Sequence, residues 1–95
     1  MVNRDYYRWT DWKAGINLKA HEVSFEEAST VFEDPLATCF PDPEHSEAED
    51  RFILVGYSVR QRLLFVSHQE MHDHVRIISA RPATPPERKR HEQYN

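Results

Sequence analysis

RFILVGYSVRQRLLFVSHQEMHDHVRIISA, residues 51–80, is the stretch whose pattern decides the fold. Phe52 to Val59 and Leu63 to His68 are runs rich in Ile, Val, Leu and Phe, residues that suit a pleated, half-buried surface. Arg60-Gln61-Arg62 supplies a turn between them, and Glu70 to Asp73 reads as a second turn before a strand near His74 to Ala80. Three strands joined in sequence by short turns predict an antiparallel meander.

The pattern changes to a helical one toward the N-terminus. Tyr6 to Trp9 is an aromatic run that reads as an edge strand. Thr10 or Asp11 offers a helix N-cap, and Trp9, Trp12, Ile16 and Ala20 follow at helical spacing, giving a helix near 11–20. Gly15 inside it costs about 1 kcal/mol against alanine. A second helix opens at Ser24, with Glu27 three residues on as a capping box and Val23 placed to staple onto the first turns. Phe25, Ala28, Val31 and Phe32 line one face, and Asp34-Pro35 ends the helix, since the residue before a proline is pushed out of the helical region. Between this helix and the meander, residues 33–50 hold seven carboxylates, three prolines and no Lys or Arg, with a strand expected over Leu36 to Phe40.

Beyond the meander, Thr84 reads as a cap, Pro85 as the first helical residue and Glu87 as the partner in a second capping box. The helix that follows runs through Arg88-Lys89-Arg90 and is almost wholly polar. A free-standing helix of that kind is marginal in water, so it is expected to pack through few residues or to become ordered with a partner. The fold class is therefore α+β: a small antiparallel β-sheet with two N-terminal helices and one C-terminal helix, the helices on one face.

Ninety-five residues make a single domain, spanning 1–95, and a chain this short buries about 60–65% of the surface its unfolded form exposes. Hydrophobic content of 39% with 12% aromatic is too high for a disordered chain. No run approaches the roughly 20 apolar residues of a membrane span, and Met1 to Tyr7 lacks the apolar core of a signal peptide, so the expected location is the cytoplasm. A single cysteine, Cys39, cannot form an intramolecular disulfide. The net charge of -4 hides an asymmetry: residues 1–50 hold 4 Lys/Arg and 12 Asp/Glu (net -8), residues 51–95 hold 8 and 4 (net +4). The basic half can grip phosphate while the acidic half faces elsewhere; a solvated surface of mixed sign is the competing reading.

Several blocks together resemble the BrnT family of bacterial type II toxins. They are Asn17 with His21 to Ala28, Val31-Phe32, Asp34-Pro35, Asp42, His45-Ser46, Glu49 to Phe52, Val75 to Arg81 and Glu87-Arg88, spread over about residues 8–92. The resemblance implies a RelE-like fold and a ribonuclease that arrests translation. It also implies a BrnA-like ribbon-helix-helix antitoxin, typically in a heterotetramer that meets DNA only through the antitoxin. Two departures stand out. The family carries a lysine before the histidine of the first helix, where this chain has Ala20, with Lys19 one place earlier. One residue turns a side chain by about 100° around a helix, so Lys19 does not replace it; either this member has lost the contact or the position has been changed to disarm a toxic protein. The turn Met71-His72-Asp73-His74 replaces the family's Arg-Gly-Asp and a small polar residue.

Metal-independent RNA cleavage needs a base for the 2′-hydroxyl proton, cations for the phosphorane charge and an acid for the leaving 5′-oxygen. Histidine suits the proton transfers and arginine the phosphate. His21 is the candidate acid or base, although a histidine at a helix C-terminus is also explained by the dipole. Arg51, Arg76 and Arg81 are the candidate phosphate clamps, with ion pairs to the many carboxylates as the structural alternative. Lys19 and Arg88 are candidate RNA contacts, and Tyr94 can stack on a base. Glu87 is explained by capping.

His68, His72 and His74 do not complete a tetrahedral set with other Cys or His by spacing, so neither a metal nor a cofactor is expected. Cys39 reads as a strand residue without an adjacent base. His45-Ser46 has no nucleophile-elbow context, and Asp42 and His45 are expected to fix the loop by local hydrogen bonds. The rival functions are a catalytically silent interaction module of the same fold, with Ala20 as its cause, and a DNA-binding regulator. The acidic half and the lack of a helix-turn-helix signature oppose the regulator. Clustering of basic groups on one face favours the nuclease; arginines each neutralised by a carboxylate favour the module.

Overall fold

The computed structural model describes residues 2–45 and 50–93. Its elements run β1 (Tyr7–Arg8), α1 (Asp11–His21), α2 (Phe25–Thr30) with a 3-10 turn at Val31–Glu33, β2 (Thr38–Pro41), a 3-10 turn at Pro43–His45, β3 (Arg51–Tyr57), β4 (Leu63–Glu70), β5 (Val75–Pro82) and α3 (Pro85–Gln93). The strands form one sheet in the order β1-β5-β4-β3-β2. The meander is antiparallel as the sequence predicts. The sheet as a whole is mixed, because β1 runs parallel to β5, Tyr7 beside Val75 and Arg8 beside Arg76. The chain enters at that edge, is carried by both helices to the opposite edge at β2, and returns through β3 and β4 to β5, which runs in the same direction as β1.

The helices also divide between faces, where the sequence placed them together. α1 and α2 pack on one face over Leu54, Leu64, Val66, Ile77 and Ala80, with Val23, Phe25, Ala28 and Val31 from the helical side. A smaller apolar cluster, Ile53, Val55 and Leu63 with Tyr57, Phe65 and Ala83, lies on the other face, and α3 borders that face through Glu87, Arg90 and His91. The turn that sends α3 there follows Ala83, whose N–H still bonds the Leu63 carbonyl.

Helix α1 departs from its expected apolar stripe. Trp12 is 74% exposed and Ile16 50%, while the buried residue is Asn17. Its amide nitrogen donates to the carbonyls of Val23 (2.9 Å) and Ala80 (2.8 Å), and its oxygen accepts the Ala80 N–H (3.0 Å). The helix is thus docked onto β5 by an amide that imitates a strand partner. The N-terminal caps behave as read: Thr10 accepts from Lys13 N, Ser24 from Glu27 N, and Thr84 from Glu87 N. The Ser24 capping box is only half formed. The Glu27 carboxylate turns inward to accept from the Ser58 hydroxyl (2.7 Å), Arg62 Nε (2.9 Å) and Arg62 Nη2.

Close packing at one glycine fixes how β3 meets the α2–β2 connection. A Cβ on Gly56 would lie 2.8 Å from Ala37 Cβ and 3.0 Å from Asp34 Oδ2, the carboxylate oxygen that receives the Tyr57 N–H. Gly56→Ala is expected to cost roughly 1–3 kcal/mol through overpacking, read as a lower urea midpoint; an unchanged midpoint would show that this connection yields freely.

Candidate active-site cleft

Cross-strand register places Arg51 beside Gln69, Gln69 beside Arg76, and Arg76 beside Arg8. Residues paired directly across a sheet share a face, so three arginines stand in one row on the face turned away from α1 and α2. Along the same face, Ile53 pairs with Ser67 and Ser67 with Ser79; Val55 pairs with Phe65 and Phe65 with Arg81. Between these rows β5 carries an extra residue: the register steps from Ser67–Ser79 to His68–Ile77, leaving Ile78 unpaired. This bulge re-aims the strand, so that Val75, Ile77 and Ala80 are buried while Arg76 and Ser79 are exposed.

The open face is the floor of a cleft of about 750 Å³, within the range of small-ligand sites. Ile53, Val55 and Phe65 give it an apolar bed, β2 and residues 42–45 form one wall, and α3 forms the other. The cations on its lining are Arg51, Arg81 and Arg90, joined by the imidazoles of His45 and His91. Asp42, Glu44 and Glu87 also line it, which makes the site amphoteric rather than uniformly basic.

His45 is an oriented imidazole on the wall of this cleft. The buried Asp42 accepts the Glu44 N–H on Oδ1 (3.0 Å) and faces His45 Nδ1 with Oδ2 (3.0 Å). An acceptor carboxylate there assigns the proton to Nδ1 and leaves Nε2 with a lone pair, the arrangement of a positioned general base. Asp42 N in turn donates to the Arg51 carbonyl (3.1 Å), tying the dyad to the start of β3. The local hydrogen bonding expected of Asp42 and His45 is therefore present, and its consequence is a histidine aimed from the cleft wall. The sequence signal was the Asp-x-x-His spacing; the cleft beneath it comes from strands far along the chain.

Arg81 combines two roles. Its guanidinium stacks over Phe65, 4.1 Å from the ring centroid, and pairs bidentately with Glu87 at 2.8 and 2.9 Å. Glu87 also accepts the Thr84 N–H (2.9 Å), completing the predicted capping box. The Arg81 hydrogen bonds, foremost, hold the Glu87 carboxyl down at about 2. Arg51, Arg76 and Arg90 carry no ion pair among the described residues.

The other predicted residues are more scattered. His21 and Ala20 line a second groove with Trp12, Lys13, Ile16, Asn17, Ile78 and Ser79, about 330 Å³ in volume. Ile78 and Ser79 belong to both concavities, so the β5 bulge is the partition between His21 and the arginine cleft. Arg76 lies on the cleft's face but outside its lining, and Lys19 lines neither concavity. Arg88 donates to the Tyr57 hydroxyl (3.3 Å). Tyr94 lies outside the described residues. Arg90 and His91, which the sequence reading did not single out, enter the site because α3 folds over this face; His91 also lies 6.1 Å from the Tyr57 ring.

On the opposite face, partial burial first and the Glu70 carboxylate second push the Cys39 thiol up to about 11. That opposes a role as nucleophile, as expected from the sequence.

The fold and this site define a small α+β protein with helices over one face of a mixed sheet and an arginine- and histidine-lined cleft on the other. The family model described as the ribonuclease toxin, BrnT, of type II toxin-antitoxin systems matches residues 9–87. The chain belongs to the BrnT family. Its structure is similar to the crystal structure of the Brucella abortus ribonuclease toxin BrnT, with a TM-score of 0.65 at 19% identity, covering 83% of this chain and 97% of that one. None of the curated proteins matches the chain by sequence. Among the described residues no helix is long and apolar enough to cross a membrane.

Proposed function

We propose that this chain is an endoribonuclease that cleaves RNA without a metal ion and thereby inhibits translation in the cytoplasm. The observation that carries this is the Asp42–His45 pair opening onto a cleft shared with Arg51, Arg81 and Arg90. His45 Nε2 takes the 2′-hydroxyl proton; Arg51 and Arg90 hold the non-bridging oxygens as charge builds on phosphorus. The apolar bed of Ile53, Val55 and Phe65 receives a base. His91 stands on the facing wall, where a protonated imidazole can serve the leaving 5′-oxygen, with His21 beyond the bulge as the alternative acid. Arg76 extends the phosphate track along the row to Arg8, and Lys19 and Arg88 supply outlying contacts.

The partner in this reading is a BrnA-like ribbon-helix-helix antitoxin in a heterotetramer, with DNA met only through it. The exposed Trp12 and Ile16, about one turn apart on α1, give such a partner apolar anchors.

The silent-module reading keeps two specific observations on its side: Arg81 is already neutralised by Glu87, and Ala20 stands where the family's lysine would reach from the α1 groove toward Ile78 and Ser79. One experiment addresses both. The purified chain and its Ala20→Lys variant are incubated with single-stranded RNA in EDTA, and the product ends are identified. Cleavage leaving 2′,3′-cyclic phosphate is expected, stronger in the variant. Cleavage restored only by added Mg²⁺ would overturn metal independence, and no cleavage by either form, with or without ribosomes, would favour the silent module.

A further inference from the structure

We propose that Cys39, His68 and Glu70 form a binding site for a thiophilic divalent cation of the Zn²⁺ class, on the helix-covered side of the sheet and separate from the cleft. The three residues are far apart in sequence, and the fold brings them together. Cys39 pairs with Leu54 across β2 and β3, and Leu54 with Val66, so its side chain shares the face of the main core. His68 and Glu70 alternate with Gln69 along β4, which puts both on that same face, opposite the arginine row.

The donor atoms converge as a tetrahedral metal requires. Cys39 Sγ lies 3.8 Å from Glu70 Oε2, His68 Nε2 lies 3.1 Å from the same oxygen, and all three ligand atoms fall within 4.8 Å of one another. With metal–ligand bonds of about 2.0–2.3 Å, tetrahedral donors stand roughly 3.3–3.8 Å apart. Small rotations of two exposed side chains, Cys39 and Glu70, therefore close the site around an ion without moving the backbone.

The third ligand is already fixed. His68 is 0% exposed, held between Phe32 (centroids 4.9 Å apart) and Phe52 (6.1 Å). Its Nδ1 faces the Val66 carbonyl at 3.5 Å, an acceptor that would take the ring proton once Nε2 ligates a metal. Its Nε2 meets Glu70 Oε2 at 3.1 Å, a hydrogen bond in which a bound cation would take the place of the imidazole proton. Thiolate, imidazole and carboxylate together select a borderline-soft ion such as Zn²⁺ over Mg²⁺ or Ca²⁺. Three protein ligands leave the fourth position to water on the exposed side. Such an ion would pin the edge strand β2 to β4 across β3, a structural role, since the cleft lies on the other side of the sheet.

Co²⁺ is the direct probe, because the chain has one cysteine and any thiolate-to-cobalt charge-transfer band must come from Cys39. Titration of the full, phosphine-reduced chain with Co²⁺ is expected to produce that band together with intense tetrahedral visible bands, saturating at one equivalent and displaced by Zn²⁺. Cys39→Ser should abolish the charge-transfer band, and Glu70→Gln should weaken binding at least tenfold; His72→Ala, elsewhere on the surface, should leave the titration unchanged. Both ligand variants alter exposed residues, and circular dichroism checks their folding. Zn²⁺ should also raise the melting temperature of the parent and not of Cys39→Ser. Absence of the band in the parent, or undiminished affinity in Glu70→Gln, overturns the site. Zn²⁺ binding by exposed histidines alone would give no thiolate band and counts against it in the same way.

Discussion

His45→Ala is expected to slow RNA cleavage by about 10²–10⁴-fold, the usual contribution of a positioned acid or base, with little change in melting temperature. The ring is half exposed, and its removal leaves Asp42 bonded to the Glu44 N–H, so the loss would be chemical and not structural. The measurement is single-turnover cleavage of a labelled RNA in EDTA, in whichever background cleaves, the parent chain or Ala20→Lys. Asp42→Asn separates positioning from chemistry. An asparagine amide can donate to Nδ1 and so force the proton onto Nε2, the wrong tautomer for a base. That variant should keep substrate binding, lose rate, and show an altered pH–rate profile. If His45→Ala cleaves as fast as its parent, the base is not on this wall of the cleft, and His21 across the β5 bulge becomes the next candidate.

The second large effect concerns stability. Glu27→Ala is expected to cost roughly 3–5 kcal/mol, as breaking a buried ion pair from one side does, against a total of about 5–15 kcal/mol for a small domain. Glu27 is buried and receives the Ser58 hydroxyl and two nitrogens of Arg62, with Arg60 at 3.7 Å. Arg62 Nη2 also donates to the Glu22 carbonyl at the end of α1 (2.9 Å). One carboxylate therefore joins α2 to the β3–β4 turn and, through Arg62, to the α1–α2 junction. The Arg62 side chain is 31% exposed, so water recovers part of its charge and the expected loss lies nearer the lower figure. Urea denaturation measures it. Replacing both partners, Glu27→Leu with Arg62→Met, should recover much of the loss, because the larger part is the stranded partner rather than the pair's net worth. A loss below about 1 kcal/mol for Glu27→Ala would contradict this account.

The same pair sets the direction of the acid response. Hydrogen bonding from Arg62, chiefly, holds the Glu27 carboxyl below its ordinary 4.5, and Arg81 holds Glu87 at about 2. Both groups bind fewer protons folded than unfolded. Their contribution is therefore complete above about 4.5 and declines as pH falls through the folded values, toward pH 2 for Glu87.

Much of the architecture is legible in local chemistry. Each of the three caps is a short polar side chain immediately before a helix, and a cap needs only residues three apart. The meander is legible because β-branched and aromatic runs broken by polar turns have few other ways to bury themselves. The resemblance of ordered blocks pointed to the family, which the match over residues 9–87 shows.

What the sequence could not decide is where those pieces face. Trp12 and Ile16 stand at helical spacing, yet a helix is oriented by whichever side binds best, and here the Asn17 amide, bonded to Ala80 across 63 positions, outweighs an apolar stripe. Glu27 has the spacing of a capping box, but a charged arginine 35 residues away attracts its carboxylate more strongly than a backbone N–H. The β5 bulge at Ile78 separates His21 from the arginines and is set by pairing with β4, not by any residue in β5 alone. Cys39, His68 and Glu70 meet only because β2 and β4 flank the same strand. Caps, strands, charge asymmetry and family follow from neighbours along the chain; the cleft, its arginines and the metal-ligand cluster follow from contacts between distant strands, which only the assembled sheet specifies.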